Sequence, residues 1–308
     1  MITAVPGLPL DTVLRGDCVE VLRRLPDRCV DLVILDPPYW KVAHEDWDFA
    51  WRTEGDYAAW CLTWLREISR VSKRSASLYL FGYLRNLLHM VDHVTAQGFV
   101  FRQPIIIDKG LRSLGGRATR GYKQFPNVTE MCLFFVKDAR PFVREFLQAR
   151  RQALGLTAKQ INDRLGVKSN GGGVWSLYTG HNILAQVPTR EMWERLAEVL
   201  AFELPYAEIG QTFNIEMGLT DVWTDLDFYA ETRIHPTQKP VALIERLIYA
   251  SSDPGMVVLD PFLGSGSSAL AALRLGRHYL GIELEAKYAD AAVARIAEEQ
   301  ARPAGLTG

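Results

Sequence analysis

The chain has 308 residues, of which 48% are hydrophobic and 23% are charged. These are the proportions of a globular protein, and they exclude a disordered, collagen-like or fibrous chain. No apolar run approaches the roughly 18 residues that cross a bilayer, so we expect no membrane segment. The four cysteines form no Cys-x-x-Cys pair, which is typical of reduced thiols in a cytoplasmic protein.

The formal net charge of −1 conceals an uneven distribution of charge along the chain. Residues 102–168 contain 14 Lys and Arg against 5 Asp and Glu, whereas residues 187–231 contain 2 against 10. Such an asymmetry indicates a surface that faces a polyanion. Two solvated faces of opposite sign explain it equally well, so charge alone leaves both interpretations open.

In chain order, short apolar runs alternate with helical spacing at both ends of the sequence. The apolar runs predict buried strands at 30–35, 77–81, 99–107, 131–136, 257–259 and 278–282. Helical spacing predicts helices at 57–71, 85–97, 241–248 and 267–275. Because strands and helices alternate in this way, we expect an α/β fold with a doubly wound, mostly parallel sheet.

The middle of the chain has a different pattern, with no convincing strand between about 146 and 204. Three helical segments are predicted there, at 146–154, 158–165 and 190–202. Thr157 and Thr189 are placed to cap the second and third of them. Residues 156–178 look like a helix-turn-helix, although any short helical hairpin produces a similar pattern. We interpret this region as a small helical insert.

The sequence Asp36-Pro37-Pro38-Tyr39 ends the first predicted strand. Two successive prolines remove two backbone donors and fix φ, so the preceding carbonyl groups are left to face a ligand. Asp36 and the Pro37 carbonyl can accept both hydrogens of an exocyclic amine, while Tyr39 stacks on a flat heterocycle. Such hydrogen bonds draw the amine nitrogen towards a tetrahedral, nucleophilic state. The alternative is a turn that only ends the strand.

A second motif joins a strand to a helix through a Gly-x-Gly turn at 259–268. Gly264 and Gly266 permit a tight turn and the close approach of a ligand. Glu283 ends the next strand, 19 residues after Gly264, where ribose hydroxyls would lie. The turn lacks a third glycine and a basic side chain, which favours a nucleoside-type cofactor over a pyrophosphate. A tight packing turn is the alternative.

A third motif, at 235–240, reads His-Pro-Thr-Gln-Lys-Pro and leads into an amphipathic helix. Pro240 suits the first turn of that helix. Thr237 and Lys239 are placed to reach a cofactor carboxylate near the helix N-terminus. An ordinary helix start is the alternative for this motif taken alone.

The three motifs in this order resemble the β group of the amino-methyltransferases that modify DNA with S-adenosylmethionine. The resemblance covers roughly 14–143 and 221–296. It implies a Rossmann-like methyltransferase core with a catalytic half at 1–145 and a cofactor-binding half at 214–308. The helical insert between them, at 146–213, would then recognise the DNA target. Residues 127–130 and the strand after them are similar to the wall of the family's target-base pocket.

The resemblance also implies roles for single residues. Asp36, Pro37, Pro38 and Tyr39 would hold a base flipped out of the duplex, because its amine is buried in paired DNA. The residues implied to bind S-adenosylmethionine are Asp17, Cys18, Asp36, His235, Thr237, Lys239, Asp260, Phe262, Gly264, Ser265, Gly266 and Glu283. Aspartate rather than serine at the first motif position favours adenine N6 over cytosine N4. Methyl transfer of this type needs no metal, so we expect no metal site.

Candidate DNA contacts lie in two places. Arg112, Arg117, Arg120 and Lys123 occupy a glycine-rich stretch that predicts a loop held by phosphate contacts. The candidates in the helical insert are Lys159, Arg164, Lys168 and Trp175. The resemblance further implies double-stranded DNA as partner and a homodimer.

The prediction is therefore a sequence-specific DNA adenine-N6 methyltransferase, with restriction–modification as one setting for it. A cytosine-N4 methyltransferase is one alternative. A helix-turn-helix regulator on a methyltransferase-like scaffold is another. A nicotinamide-dependent oxidoreductase ranks last, because it leaves the Asp-Pro-Pro-Tyr motif unexplained.

Overall fold

The computed structural model describes residues 7–39, 51–114, 123, 125–167, 173–181, 184–215, 218–235 and 237–301. The chain divides into two compact units. The first, Met1–Val136 with Thr212–Gly308, is called the α/β unit below, and the second, Lys137–Gln211, the helical unit. In the described part of the chain, no helix combines the length and the hydropathy needed to span a bilayer.

The strands of the α/β unit form one mostly parallel sheet. Their bounds are β1 (Thr12–Arg15), β2 (Val30–Leu35), β3 (Ser72–Phe81), β4 (Phe99–Asp108), β5 (Thr129–Lys137), β6 (Val222–Trp223), β7 (Val257–Asp260) and β8 (His278–Glu283). Within the described residues they form an eight-stranded sheet in the order β1-β8-β7-β2-β3-β5-β4-β6. β5 runs antiparallel to β3, whereas the pairs β1–β8, β8–β7, β7–β2, β2–β3 and β4–β6 are parallel. The predicted fold class is confirmed.

Helices cover both faces of this sheet. Numbered along the chain, the helices are α1 (Cys18–Leu22), α2 (Glu54–Val71), α3 (Leu84–Ala96), α4 (Arg140–Ala153), α5 (Ala158–Arg164), α6 (Gly173–Thr179), α7 (Arg190–Leu200), α8 (Val241–Ser251), α9 (Ser267–Arg274) and α10 (Ala286–Gln300). Alternate residues of β2 supply two separate cores, since successive side chains of a strand point to opposite faces. Val33 and Leu35 pack with residues of α1, α2 and α3. Leu32 and Ile34 pack with residues of α8, α9 and α10.

The strand predicted at 99–107 is one continuous element, β4, although its middle is exposed. Residues Phe101 to Pro104 are exposed, because β6 on its outer side pairs only with Ile106 and Ile107. The proline can lie in the strand because that stretch of β4 is at the edge of the sheet. β1 and α1 have no counterpart among the predicted elements, because four and five residues are too short to display a period.

The helical unit contains α4 to α7 and has its own core. Thr157 caps α5 through a reciprocal pair of hydrogen bonds with Gln160, and Thr189 caps α7 by accepting from the Met192 amide at 3.3 Å, as predicted. The unit begins at Lys137 rather than 146. The physical reason is that α4 begins at Arg140 and packs its apolar face into the core around Trp193.

Candidate active site

The carboxyl ends of β2, β7 and β8 border one open cleft of about 1150 Å³, its mouth included. Because these strands are parallel, the segments that follow them meet at one edge of the sheet. The predicted site residues that line this cleft are Asp17, Cys18, Asp36, Pro37, Pro38, Tyr39, His235, Thr237, Lys239, Asp260, Phe262, Gly264, Ser265 and Glu283. The three motifs are thus neighbours in space, although more than 200 residues separate Asp36 from Lys239 along the chain.

The carboxylate of Asp36 is held at both of its oxygens. The Tyr39 hydroxyl donates a short hydrogen bond to Oδ1. The Lys239 Nζ donates to Oδ2 at 2.7 Å. The carbonyl of Pro38 accepts from the Tyr57 hydroxyl at 3.1 Å. These contacts orient the Asp-Pro-Pro-Tyr turn at the wall of the cleft.

Lys239 belongs to a buried row of alternating charges. Its side chain is 7% exposed, and its Nζ lies 3.6 Å from the Glu130 carboxylate as well as 2.7 Å from Asp36. The second oxygen of Glu130 pairs with Lys109 at 3.2 Å. Burial alone would lower the pKa of Lys239, but the carboxylates of Asp36 and Glu130 raise it above its ordinary value. Lys239 therefore remains a cation whose partners are carboxylates of the protein itself.

The turn between β7 and α9 needs glycine at two positions. Gly264 has a φ of +54° and Gly266 a φ of +85°, both in the region that side chains disfavour. A Cβ at Gly266 would also lie 2.9 Å from that of Ala292. Gly266 is the N-cap residue of α9 and packs against α10 rather than lining the cleft. Its role is therefore to shape the turn that exposes Gly264.

Two buried acids flank this turn. Asp260 accepts from the Phe262 amide at 2.9 Å and from the Ser268 hydroxyl. Glu283 accepts from the amides of Gly264 and Glu285 at 2.7 and 2.8 Å. Burial raises the pKa of Asp260 to about 7 and raises that of Glu283 as well. A cleft with buried acids of this kind favours a cationic ligand over an anionic one.

Asp17 and Cys18 form the start of α1 beside Glu283. The carboxylate of Asp17 accepts from the amides of Val19 and Glu20 at 2.9 and 3.1 Å. Burial raises the pKa of Cys18 to about 12, so its thiol stays neutral. The two residues follow β1, whose pairing with β8 brings them to the end where Glu283 lies.

His235 and Thr237 also line the cleft. The ring of His235 packs edge-on against Tyr288, with centroids 4.2 Å apart. Its Nδ1 accepts from the Thr237 amide at 3.3 Å. Burial lowers the pKa of His235, which favours the neutral imidazole.

Aromatic side chains that the sequence analysis did not single out complete the wall near Phe262. Trp60 lines the cleft, and its ring lies 5.9 Å from that of Phe262. Trp64 lies one helical turn further along α2, 5.4 Å from the same ring. The spacing of the two tryptophans predicts a helix face, but not that this face borders a cleft.

A smaller recess lies beside Tyr39 and includes three of the four residues at 127–130, which are predicted to resemble a target-base wall. It is lined by Gly82, Tyr83, Leu84, Asn127, Thr129, Glu130 and Met131. The ring of Tyr83 packs edge-on against Tyr39, with centroids 5.4 Å apart. Glu130 was not assigned an individual role from sequence, yet it borders the recess and contacts Lys239.

The predicted DNA contacts fall into three groups. Arg112 in the 3-10 helix Leu111–Leu114, Lys123, and Lys159 and Arg164 of α5 are exposed. Arg117, Arg120 and Lys168 lie outside the described residues. Trp175 is 6% exposed and packs in the core of the helical unit. Its burial places its ring away from any surface that could meet DNA.

The C-terminal part of the predicted helix-turn-helix forms α6, but its side chains are poorly exposed. Trp175, Tyr178 and Thr179 are buried, and the other residues of α6 are half-buried. The α6 sequence carries no Lys or Arg. In the described part of the helical hairpin, the exposed cations lie on α5 instead, at Lys159 and Arg164.

Residues 30–294 match a family model described as DNA methylase, of the N6/N4 type. The Type II methyltransferase M.HinfI of Haemophilus influenzae is 28% identical over 313 aligned positions, covering 96% of this chain and 70% of the relative. The DNA adenine methyltransferase YhdJ of Escherichia coli K12 is 27% identical, covering 94% and 84%. The crystal structure of the M1.HpyAVI–SAM complex shares the fold, with a TM-score of 0.55 and 20% identity over 92% of this chain and 98% of that one. The chain belongs to the N6/N4 family of DNA methylases and is a DNA methyltransferase.

Proposed function

We propose that the protein transfers a methyl group from S-adenosylmethionine to the N6 amine of adenine in double-stranded DNA. The observation that supports this best is a single cleft lined both by Asp36 and by Glu283. Asp36 is the proposed hydrogen-bond acceptor for the base amine, and Glu283 is the proposed acceptor for the ribose hydroxyls. A methyl transferase must hold its two substrates side by side, and one shared cleft allows this.

The residues of the cleft fit S-adenosylmethionine in charge and in shape. Asp260 and Glu283 are buried acids, which suit a ligand that carries ammonium and sulfonium charges. The Lys239 ammonium that lines the cleft is already paired with Asp36, which argues against a pyrophosphate ligand. When bound, S-adenosylmethionine supplies the methyl group that is transferred.

Each cofactor-binding role remains our proposal. Glu283 would accept hydrogen bonds from the ribose hydroxyls, and Asp17 with Cys18 would flank the adenine. The methionine portion would lie along the turn formed by Asp260 and Gly264. The remaining proposed contacts are Phe262, Ser265, His235 and Thr237, which line the same cleft.

The chemistry proposed for the Asp-Pro-Pro-Tyr turn acts on the amine. Asp36 and the Pro37 carbonyl accept one amine hydrogen each, which localises the nitrogen lone pair and makes it nucleophilic. The nitrogen would then bond to the methyl carbon as the carbon–sulfur bond of the sulfonium breaks and the sulfur leaves as a neutral thioether. The surplus proton on the nitrogen would pass to solvent. Tyr39 stacks on the base and keeps its hydroxyl on Asp36. An adenine inside a duplex must first be flipped out, because its amine is otherwise buried in the base pair.

Adenine is proposed over cytosine because aspartate stands at the first motif position, and because the relative YhdJ is named a DNA adenine methyltransferase. We propose that Arg112, Lys123, Lys159 and Arg164 contact DNA phosphates, since all four are exposed cations. Trp175 is not retained as a contact, because it is buried. Sequence specificity, a homodimer, a cytoplasmic location and a restriction–modification setting stay predictions.

The test is methylation of duplex DNA with labelled S-adenosylmethionine, followed by digestion to nucleosides and chromatography. We expect label in N6-methyladenine with the unmodified protein. Asp36→Ala should lose the label while keeping DNA binding. Asp225→Asn removes an exposed carboxylate outside the cleft and serves as control. Label in N4-methylcytosine would overturn the choice of base, and DNA binding without any transfer would favour a regulator.

A further inference from the structure

We propose that Lys239 is a positioning residue for methyl transfer, whose buried ammonium keeps the Asp36 carboxylate ionised and oriented for the target amine. The inference rests on the proposed function, in which Asp36 accepts a hydrogen bond from that amine. It assigns Lys239 to the base side of the cleft, whereas the motif resemblance implies a cofactor contact for this residue.

The position of Lys239 supports this assignment. Its Nζ lies 2.7 Å from Asp36 Oδ2 and contacts the Thr237 carbonyl at 3.4 Å. Its own carbonyl accepts from the Ser267 hydroxyl at 2.8 Å, which ties the backbone to the start of α9. Lys239 is therefore held both at its backbone and at its ammonium group, and its side chain is 7% exposed.

A carboxylate in such surroundings needs a cationic partner. An ionised group that leaves water for a protein interior takes up a proton unless a counter-charge and hydrogen bonds compensate for the lost hydration. A protonated Asp36 would donate one hydrogen bond and lose acceptor capacity. An ionised one has about four acceptor positions. The Tyr39 hydroxyl and the Lys239 ammonium occupy one on each oxygen, which leaves room for an amine.

Among the residues that the structure describes, the other ionisable groups that face Asp36 do not replace Lys239. Two are acids that disfavour a further negative charge, Glu130 and Asp260. Four are neutral at working pH, because burial raises the pKa of each: Tyr39, Tyr57, Tyr83 and Cys132. His235 also faces Asp36, and burial lowers its pKa towards the neutral form.

Glu130 is the competing partner of Lys239, and Lys109 limits that competition. Glu130 lies 3.6 Å from the ammonium, against 2.7 Å for Asp36. Lys109 holds the other oxygen of Glu130 at 3.2 Å. Lys109 thus provides a matched control, since it contacts the same acid but not Asp36.

The test compares pH–rate profiles of adenine methylation for the unmodified protein, Lys239→Met, Lys239→Arg and Lys109→Met, with S-adenosylmethionine affinity measured for each. In Lys239→Met, the acid limb should move up by about one pH unit or more, so the loss of kcat relative to the unmodified protein should grow as the pH falls. Much of the rate should return at pH 9. Lys239→Arg should restore the original acid limb, and Lys109→Met should leave it in place.

Two outcomes would overturn the inference while leaving the proposed function intact. One is a Lys239→Met enzyme with reduced kcat but an unmoved acid limb, which indicates a structural role. The other is weakened S-adenosylmethionine binding with the same acid limb, which indicates the cofactor contact. Absence of adenine methylation by the unmodified protein would instead contradict the proposed function itself. Folding of each variant is checked by its unfolding transition.

Discussion

The backbone amide of Gly264 donates a hydrogen bond of 2.7 Å to the carboxylate of Glu283. This bond joins the turn after β7 to the end of β8. The Gly-x-Gly turn and Glu283, which together predict a nucleoside-type cofactor from sequence, are therefore in direct contact. Because Gly264 has a φ of +54°, its amide can point at the acid only in a conformation that glycine adopts readily.

Replacing Glu283 by glutamine should weaken S-adenosylmethionine binding by about 10- to 100-fold, because hydrogen bonds to a charged group contribute about 1.5–3 kcal/mol. The fold should persist, since the amide oxygen can still accept one of the two backbone hydrogen bonds. Titration calorimetry measures the affinity. Glu245→Gln, which removes an acid paired with Arg274 outside the cleft, is the control. Equal affinities for the two variants would contradict the ribose role of Glu283.

The affinity for S-adenosylmethionine should rise with pH through about 7. Burial raises the pKa of Asp260 to about 7, so this acid is neutral below that pH and charged above it. A cationic ligand binds the charged form better, and binding below pH 7 should release a proton. Calorimetry between pH 6 and 7.5, in buffers of different ionisation enthalpy, detects that proton. Asp260→Asn should give a flat profile, and an unchanged slope in this variant would exclude Asp260 as the source.

The same group makes folding stability depend on pH. The pKa of Asp260 is raised from 3.8 in the unfolded chain to about 7 in the fold, so the folded state binds the proton more tightly. Its contribution is fully present below pH 3.8 and is lost as the pH rises to about 7, by at most roughly 1.4 kcal/mol per pH unit. Between pH 5 and 7.5, the free energy of unfolding measured with urea should therefore fall more for the unmodified protein than for Asp260→Asn. An identical pH dependence for both proteins would refute this.

Trp193→Ala should destabilise the helical unit by about 3–5 kcal/mol, the usual cost of removing a large core side chain. Trp193 is 1% exposed, and its indole donates to the Leu204 carbonyl at 2.8 Å. Hydrogen exchange of the α7 amides reports the loss. Affinity for S-adenosylmethionine should not change, because the cleft is lined by residues of the α/β unit. Reduced cofactor affinity would mean that the cleft depends on the helical unit.

Lys159→Ala and Arg164→Ala should each weaken DNA binding and lower the slope of log affinity against log salt by about one, as expected for a lost phosphate contact. Cofactor affinity should stay the same. Arg66→Ala, which removes an exposed arginine of α2, controls for a general loss of charge. Anisotropy titrations at several salt concentrations measure the effect. If both variants keep the original slope, α5 is not a phosphate-binding element.

The sequence by itself determined the features that depend on neighbouring residues. β2 has the predicted bounds, and Thr157 and Thr189 cap the predicted helices. The order of the three motifs was sufficient to indicate the family. Such features are readable because burial on both faces, helix capping and positive φ at glycine each leave a local pattern.

Only the tertiary structure decided which distant side chains meet. Lys239 and Asp36 are 203 residues apart, and the order of strands in the sheet determines that they touch. The same holds for Glu130 beside Lys239 and for Trp60 at the cleft. Trp175 looked available for DNA in sequence, yet it lies in a core, because the residues that cover it come from other helices. A period in a sequence predicts that a face is apolar, and packing decides what covers that face.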